Sequence, residues 1–135
     1  MLGTGRPAFF HSLFHLRDYL DSLGWTVELQ EVAAGQSNVI AYLNEMPRVW
    51  LSTHMDTVPP FIAPTEDDEK IYGRGSCDAK GIIAAQIIAA EELRSQGVED
   101  IGLLFTVDEI FTFRGYRMVI RDLCPGRSPF FLDRV

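Results

Sequence analysis

The chain has 135 residues, enough for one small domain with a hydrophobic core but fewer than a two-domain enzyme usually needs. Its net charge of −7 argues against binding to nucleic acid or to an anionic membrane. No run of about 18 apolar residues is present, so no segment is expected to span a membrane. The two cysteines suggest no disulfide framework and the amino-terminal residues do not resemble a secretory signal, so a cytoplasmic protein is expected.

The first third of the chain predicts a helix followed by two strands. Apolar residues recur at helical spacing, between a proline suited to a first turn and a glycine suited to a helix end, so a helix is predicted from about Pro7 to Leu23. Residues 26–32 alternate apolar and polar side chains, which is typical of an edge strand with one solvated face. A second strand is predicted over residues 38–43.

The next elements predict a strand, a helix and another strand. Residues 48–52 lack alternation, which favours a strand buried on both faces in the middle of the sheet. An acidic run at 66–69 is interpreted as a solvated loop, since it lacks the spacing of a calcium-binding loop. A helix over 78–96 and a buried strand over 102–107 complete a parallel, right-handed unit. The predicted fold is a three-layer αβα domain with a mixed, mainly parallel sheet.

Residues that could bind a metal follow these strands. His54 and Asp56 are two apart, so their side chains leave the same face if the strand continues. Asp78 comes from a separate glycine-punctuated turn, and Glu109 follows the last strand, at the same sheet edge as His54. An imidazole with clustered carboxylates suits zinc, and a bridging carboxylate suits two metals about 3.5 to 4 Å apart. A simpler interpretation is a local His54–Asp56 hydrogen bond, with Asp78 as a helix cap and Glu109 as a surface acid.

The glycines of this turn also invite comparison with a phosphate-binding loop. The spacing of Gly73, Gly75 and Gly81 fits neither of the two common nucleotide-binding patterns. Asp78 would also repel a phosphate group. A nucleotide-binding module is therefore the less favoured interpretation.

Three blocks of the sequence resemble the M20 family of dinuclear zinc aminohydrolases. They read HMDTVPP at 54–60, IYGRGSCDAKG at 71–81 and LLFTVDE at 103–109. The family includes acetylornithine deacetylases, succinyl-diaminopimelate desuccinylases, aminoacylases and carboxypeptidases. The resemblance implies a metal-dependent hydrolase of amide bonds in N-acyl amino acids or small peptides.

The resemblance also implies a role for each matching residue. His54 would bind one zinc ion, and Asp56 would orient His54 from behind. Asp78 would bridge both metals, with a cis peptide bond between Asp78 and Ala79. Glu109 would be the general base that acts on the bridging water.

The chain departs from the family pattern after Glu109. Ile110 stands where members carry a second glutamate that binds zinc, and an isoleucine side chain cannot coordinate a metal. Asp133 lies at about the distance of the family's next acidic ligand and is a further candidate. The charge also changes at this point, since residues 1–109 are strongly acidic and residues 110–135 are net basic.

On this resemblance, residues 1–135 would form a single partial catalytic domain. The other half of that domain, its last histidine ligand and the dimerisation domain through which many members form homodimers would be absent. We therefore expect an incomplete enzyme that binds one zinc ion or none. The alternative is a catalytically inactive product of a truncated or frame-shifted gene that retains the first half of the fold.

Overall fold

The computed structural model describes residues 8–107, and the surroundings of side chains from residue 13 onward. It shows a mixed α/β fold, as predicted. The elements are helix α1 (Ala8–Ser22), strands β1 (Thr26–Ala33), β2 (Gln36–Tyr42) and β3 (Val49–His54), a small hairpin of β4 (Thr65–Glu66) and β5 (Ile71–Tyr72), helix α2 (Ile82–Ser95) and strand β6 (Ile101–Thr106). Neither helix in this part of the chain has the length and apolar character needed to cross a membrane.

Four strands form the main sheet, in the order β1-β2-β6-β3. The prediction that β3 and β6 are parallel neighbours is confirmed, and so is the edge position of β1. The prediction of a mainly parallel sheet is wrong for the described strands, because β1 pairs with β2, and β2 with β6, in antiparallel fashion. The physical reason is the tight turn after β1, where Gly35 adopts a φ of 74° and reverses the chain.

Strand β6 occupies the central position that the sequence suggested for β3. All six residues of β6 are buried, whereas β3 lies at the edge of the described sheet and its first residue, Val49, is 54% exposed. The connection through α2 returns the chain between β2 and β3, so β6 receives a partner on each side. The prediction that β3 is buried on both faces is therefore wrong for the described residues.

Both helices pack on the same face of the sheet. Leu13 and Leu20 of α1 and Ile83 and Ile87 of α2 belong to one apolar cluster with the sheet residues around Phe105. The opposite face carries a smaller cluster of Ile40, Leu104, Tyr42 and Trp50. Residues 8–107 therefore show one helical layer against one sheet, and the predicted third layer stays a prediction.

The carboxyl ends of β3 and β6 are fixed side by side. The Met55 N–H donates to the Thr106 carbonyl oxygen at 2.8 Å, which extends the pairing one residue beyond β3. The Val107 N–H donates to the side-chain oxygen of Asn38 at 3.0 Å, and Asn38 is fully buried. Because a buried N–H without a partner is costly, this bond fixes the direction in which the chain leaves β6.

Candidate metal centre

His54 stands at the end of β3 and is 7% exposed. It pairs in the sheet with Thr106, so its backbone is held by the parallel ladder. The His54 Nδ1 atom lies 3.0 Å from Asp56 Oδ1. A carboxylate at Nδ1 favours a proton on that nitrogen and leaves the Nε2 lone pair available to a metal ion.

Asp78 approaches the other side of the same imidazole. Its Oδ1 atom lies 2.9 Å from His54 Nε2, and its side chain is 79% exposed. His54 therefore sits between a half-buried carboxylate on Nδ1 and an exposed carboxylate on Nε2. The Nε2 atom and the Asp78 oxygen are close enough to bind one cation together.

Asp78 belongs to an irregular turn, Ser76–Gly81, that precedes α2. Its backbone is not helical, with a φ of −115° and a ψ of 100°, and the Asp78–Ala79 peptide bond is cis as the resemblance implied. Helix α2 begins at Ile82, four residues later than predicted, because this turn interrupts the helical pattern. The helix is capped by Gly81 without a side-chain hydrogen bond, so the simpler interpretation of Asp78 as a helix cap is wrong.

Glycine is required at two positions for the turn to close. Gly75 has a φ of 79°, and a Cβ atom there would lie 2.5 Å from Thr57 Cγ2. A Cβ atom on Gly81 would lie 2.6 Å from the Ser76 carbonyl oxygen. The Lys80 N–H donates to the Gly75 carbonyl oxygen at 2.9 Å and closes the turn. These contacts bring Asp78 to His54.

The turn and the end of β3 enclose an open cleft of about 240 Å³. It is lined by residues from two segments of the chain: His54, Asp56, Thr57 and Val58 from the first, and Gly73, Arg74, Gly75, Ser76, Cys77 and Asp78 from the second. Arg74 is the only lysine or arginine among these lining residues. Arg74 lies within the block IYGRGSCDAKG, where the resemblance implied no role for it, although its position between two glycines is a signal that could have marked it.

The structure brings together three of the five predicted site residues, His54, Asp56 and Asp78. Glu109 and Asp133 lie outside the described residues. Within residues 8–107, no group of three or more histidine, cysteine and acidic side chains could hold a metal ion. The imidazole nitrogen and the carboxylate oxygen are donor types that divalent cations bind in proteins.

The residues of this site lie within the part of the chain that matches known proteins. The sequence profile of the family described as peptidase family M20/M25/M40 matches residues 50–127. A peptidase M20 domain-containing protein of Schizosaccharomyces pombe is 45% identical over 80% of this chain and 29% of its own length. A probable carboxypeptidase of Aspergillus terreus is 42% identical over 69% of this chain and 24% of its own length. A probable carboxypeptidase of Arthroderma otae is 41% identical over 70% of this chain and 26% of its own length. The chain thus spans about a quarter of the length of these relatives.

Proposed function

Because the chain belongs to peptidase family M20/M25/M40, we propose that it carries part of the active site of a zinc-dependent carboxypeptidase or deacylase. The family is generally metal-dependent, and two of the similar proteins are described as probable carboxypeptidases. The substrate class is a small peptide or an N-acyl amino acid, and the bond cleaved is an amide.

The observation that carries this proposal is the position of His54 between Asp56 and Asp78. A proton held on Nδ1 by Asp56 would direct the Nε2 lone pair toward the Asp78 carboxylate, so that the two groups could bind a metal together. When bound, zinc would polarise the scissile carbonyl group and lower the pKa of water to about 7. Asp78 reaches the imidazole from the solvent-exposed side, where a substrate can enter.

The remaining site residues belong to the proposal and lie outside the described part of the chain. Glu109 would be the general base that takes a proton from the attacking water and passes it to the leaving amine. It follows two residues after Val107, whose N–H is held by Asn38. Asp133 would be a further ligand, and Ile110 cannot be one.

The architecture and surroundings complete the proposal. A third layer would cover the sheet face that carries Ile40 and Leu104, giving the αβα arrangement predicted from the sequence. The partner would be the small substrate, without nucleic acid or membrane. A reducing, cytoplasmic location agrees with the low cysteine content.

Zinc binding to matched variants tests the proposed site. We expect the 135-residue chain to bind at most one zinc ion, because His54 and Asp78 are the only proposed ligands in residues 8–107. His54→Ala should abolish this binding, and Asp56→Asn should weaken it about 10- to 100-fold, as for other residues that orient a metal-binding histidine. His15→Ala, which removes an exposed histidine of α1, should leave it unchanged. Calorimetric titration and elemental analysis provide the measurements.

Hydrolysis of N-acetylornithine and of dipeptides, measured on the same protein, tests the activity. Slow zinc-dependent cleavage that is lost in His54→Ala would support the proposal. Zinc bound through His54 without cleavage of either substrate would favour the inactive alternative. Two zinc ions per chain with an ordinary enzymatic rate would show that the ligand count is wrong, and zinc affinity unchanged by His54→Ala would place the metal elsewhere.

A further inference from the structure

Arg74 is a positively charged residue of the cleft that contains the candidate metal centre. The residue is half-buried and lines the same cleft as His54 and Asp78. Its Nε–H donates to the Pro60 carbonyl oxygen at 3.1 Å. Within residues 8–107 this is the one hydrogen bond of the Arg74 side chain, and no carboxylate of that range pairs with it. An arginine side chain has five N–H donors, so the four on its terminal nitrogens remain for a ligand.

The backbone that carries Arg74 is fixed on both sides. The Arg74 N–H donates to the Ile62 carbonyl oxygen at 3.2 Å. Gly73, with a φ of 146°, packs so closely that a Cβ atom on it would lie 3.1 Å from Pro64 Cα. These contacts fix the backbone of Arg74, and the bond from Nε to Pro60 restricts the side chain before any ligand binds. A planar fork that is already ordered loses little entropy when it binds an anion.

The charges of the cleft define what Arg74 can bind. Among the described residues that line the cleft, Asp56 and Asp78 are the two carboxylates and Arg74 is the only lysine or arginine. An anionic group in the cleft would therefore be repelled near the two aspartates and attracted near the guanidinium. A planar carboxylate fits this arrangement because its two coplanar oxygens match the fork of N–H donors, and while no metal is bound a phosphate dianion would be repelled more strongly by the two aspartates.

We propose that Arg74 binds a free carboxylate group of the substrate and so determines its orientation toward His54 and Asp78. The proposal rests on the proposed function, since a carboxypeptidase substrate carries a carboxylate one residue from the bond that is cleaved. Holding that carboxylate in the same cleft as the metal ligands places the amide beside them. Arg74 is then a residue that selects substrates with a free carboxyl terminus.

A purely structural role of Arg74 makes a different prediction. If its only task were to hold the loop at Pro60, its removal would weaken every ligand of the cleft alike. A carboxylate-binding role instead requires that only ligands with a free carboxylate lose affinity. A pair of ligands that differ only in this group therefore separates the two roles.

The experiment follows binding by NMR in the full 135-residue chain, with zinc present at one concentration throughout. The probes are N-acetylglycylglycine and its carboxyl-terminal amide. We expect the acid to shift the Arg74 Nε–Hε resonance and to bind at least about tenfold more tightly than the amide, as a charge-assisted, two-point contact allows. Arg74→Gln should remove this preference and Arg74→Lys should retain part of it. Arg48→Gln, which removes an exposed arginine that pairs with Asp100, should leave it intact.

Three results would overturn the proposal. Equal affinity of the native chain for acid and amide would show that the carboxylate is not recognised. An equal loss of affinity for the acid and the amide in Arg74→Gln would show that Arg74 has a structural role. Tighter binding of inorganic phosphate than of the acid, lost in Arg74→Gln, would assign the site to phosphate.

Measurements of hydrolysis distinguish a failure of this proposal from a failure of the proposed function. Cleavage of acid and amide substrates at the same rate would support the hydrolase and reject the role of Arg74. Selective binding of the acid through Arg74 without cleavage of any peptide would support the carboxylate site and weigh against the hydrolase.

Discussion

The two walls of the cleft are held in place by different kinds of interaction. The strand wall, His54 to Asp56, is fixed by the hydrogen bonds between β3 and β6, and His54 is 7% exposed. The loop wall, Ile71 to Gly81, contains Asp78, whose side chain is 79% exposed, in a turn with non-helical backbone angles. A buried imidazole thus meets an exposed carboxylate. The strand wall depends on sheet pairing, and the loop wall depends on local backbone conformation.

The largest effect on stability is expected from a substitution of Gly75 in the loop wall. Gly75→Ala combines the cost of a left-handed backbone, about 1–2 kcal/mol, with an overlap against Thr57 Cγ2 of about 1–3 kcal/mol. The free energy of unfolding, measured by urea denaturation, should therefore fall by about 2–5 kcal/mol, and zinc affinity should fall with it. Such a loss would show that the conformation of the loop wall depends on this glycine.

Two further variants divide this effect into its parts. Gly97 has a φ of 84° and open space where a Cβ would stand, so Gly97→Ala should show the backbone cost alone. Adding Thr57→Ser to Gly75→Ala removes the methyl group that the new Cβ would meet, and should recover the difference between the two alanine variants. If Gly75→Ala costs no more than Gly97→Ala, the close contact with Thr57 does not limit the turn.

The sequence predicted the strand wall better than the loop wall. Alternation and apolar runs located every strand of the main sheet within a few residues, because side-chain periodicity reports directly on burial. The same signals could not rank β3 and β6 within the sheet, since both read as apolar runs and the order is decided by the path of the chain through α2.

The loop wall was accessible mainly through family resemblance. Periodicity alone predicted a helix from Asp78, because the apolar spacing continues backward from α2 into the turn. The cis peptide bond after Asp78 came from the resemblance and was confirmed. The contacts of Asp56 and Asp78 with His54 join residues up to 24 positions apart, and only the tertiary structure provides these distances. The roles of Glu109 and Asp133 stay predictions.

A smaller effect is expected from replacing Asn38, whose side chain holds the end of β6 beside the strand wall. Asn38→Ala removes the acceptor of the buried Val107 N–H, and an unsatisfied buried donor costs about 1–3 kcal/mol. Urea denaturation should show a loss of that size. Asn44→Ala is the matched control, because the Asn44 side chain makes an exposed bond to Asp100 and its loss should change stability by less than about 0.5 kcal/mol. Equal effects of the two variants would mean that the end of β6 is fixed by other contacts.

The smallest expected effect concerns the outer end of the loop wall, the hairpin of β4 and β5. The acidic run at 66–69 was predicted to be a solvated loop, and its residues are exposed. Asp67 within this run also organises the turn. One carboxylate oxygen accepts hydrogen bonds from the Glu69 and Lys70 N–H groups at 2.9 and 2.8 Å, and the other accepts one from the Tyr72 hydroxyl at 2.9 Å. The Glu69 N–H, then the Tyr72 hydroxyl and the Lys70 N–H, hold the pKa of Asp67 below its ordinary value of 3.8.

This pKa predicts a defined pH dependence of the hairpin. Because the pKa of Asp67 is lowered in the folded chain, the stabilisation is present above 3.8 and is lost as the pH falls through the folded value. Tyr72→Phe removes one of the three donors, so the pKa of Asp67, followed by carbon NMR of its carboxyl group, should rise part of the way toward the ordinary value. Tyr42→Phe removes a similar tyrosine–carboxylate bond, to Glu28 on another strand pair, and should leave the pKa of Asp67 unchanged. An Asp67 pKa that does not respond to Tyr72→Phe would show that the backbone N–H groups alone organise the turn, and that Tyr72 contributes nothing to the loop wall through this bond.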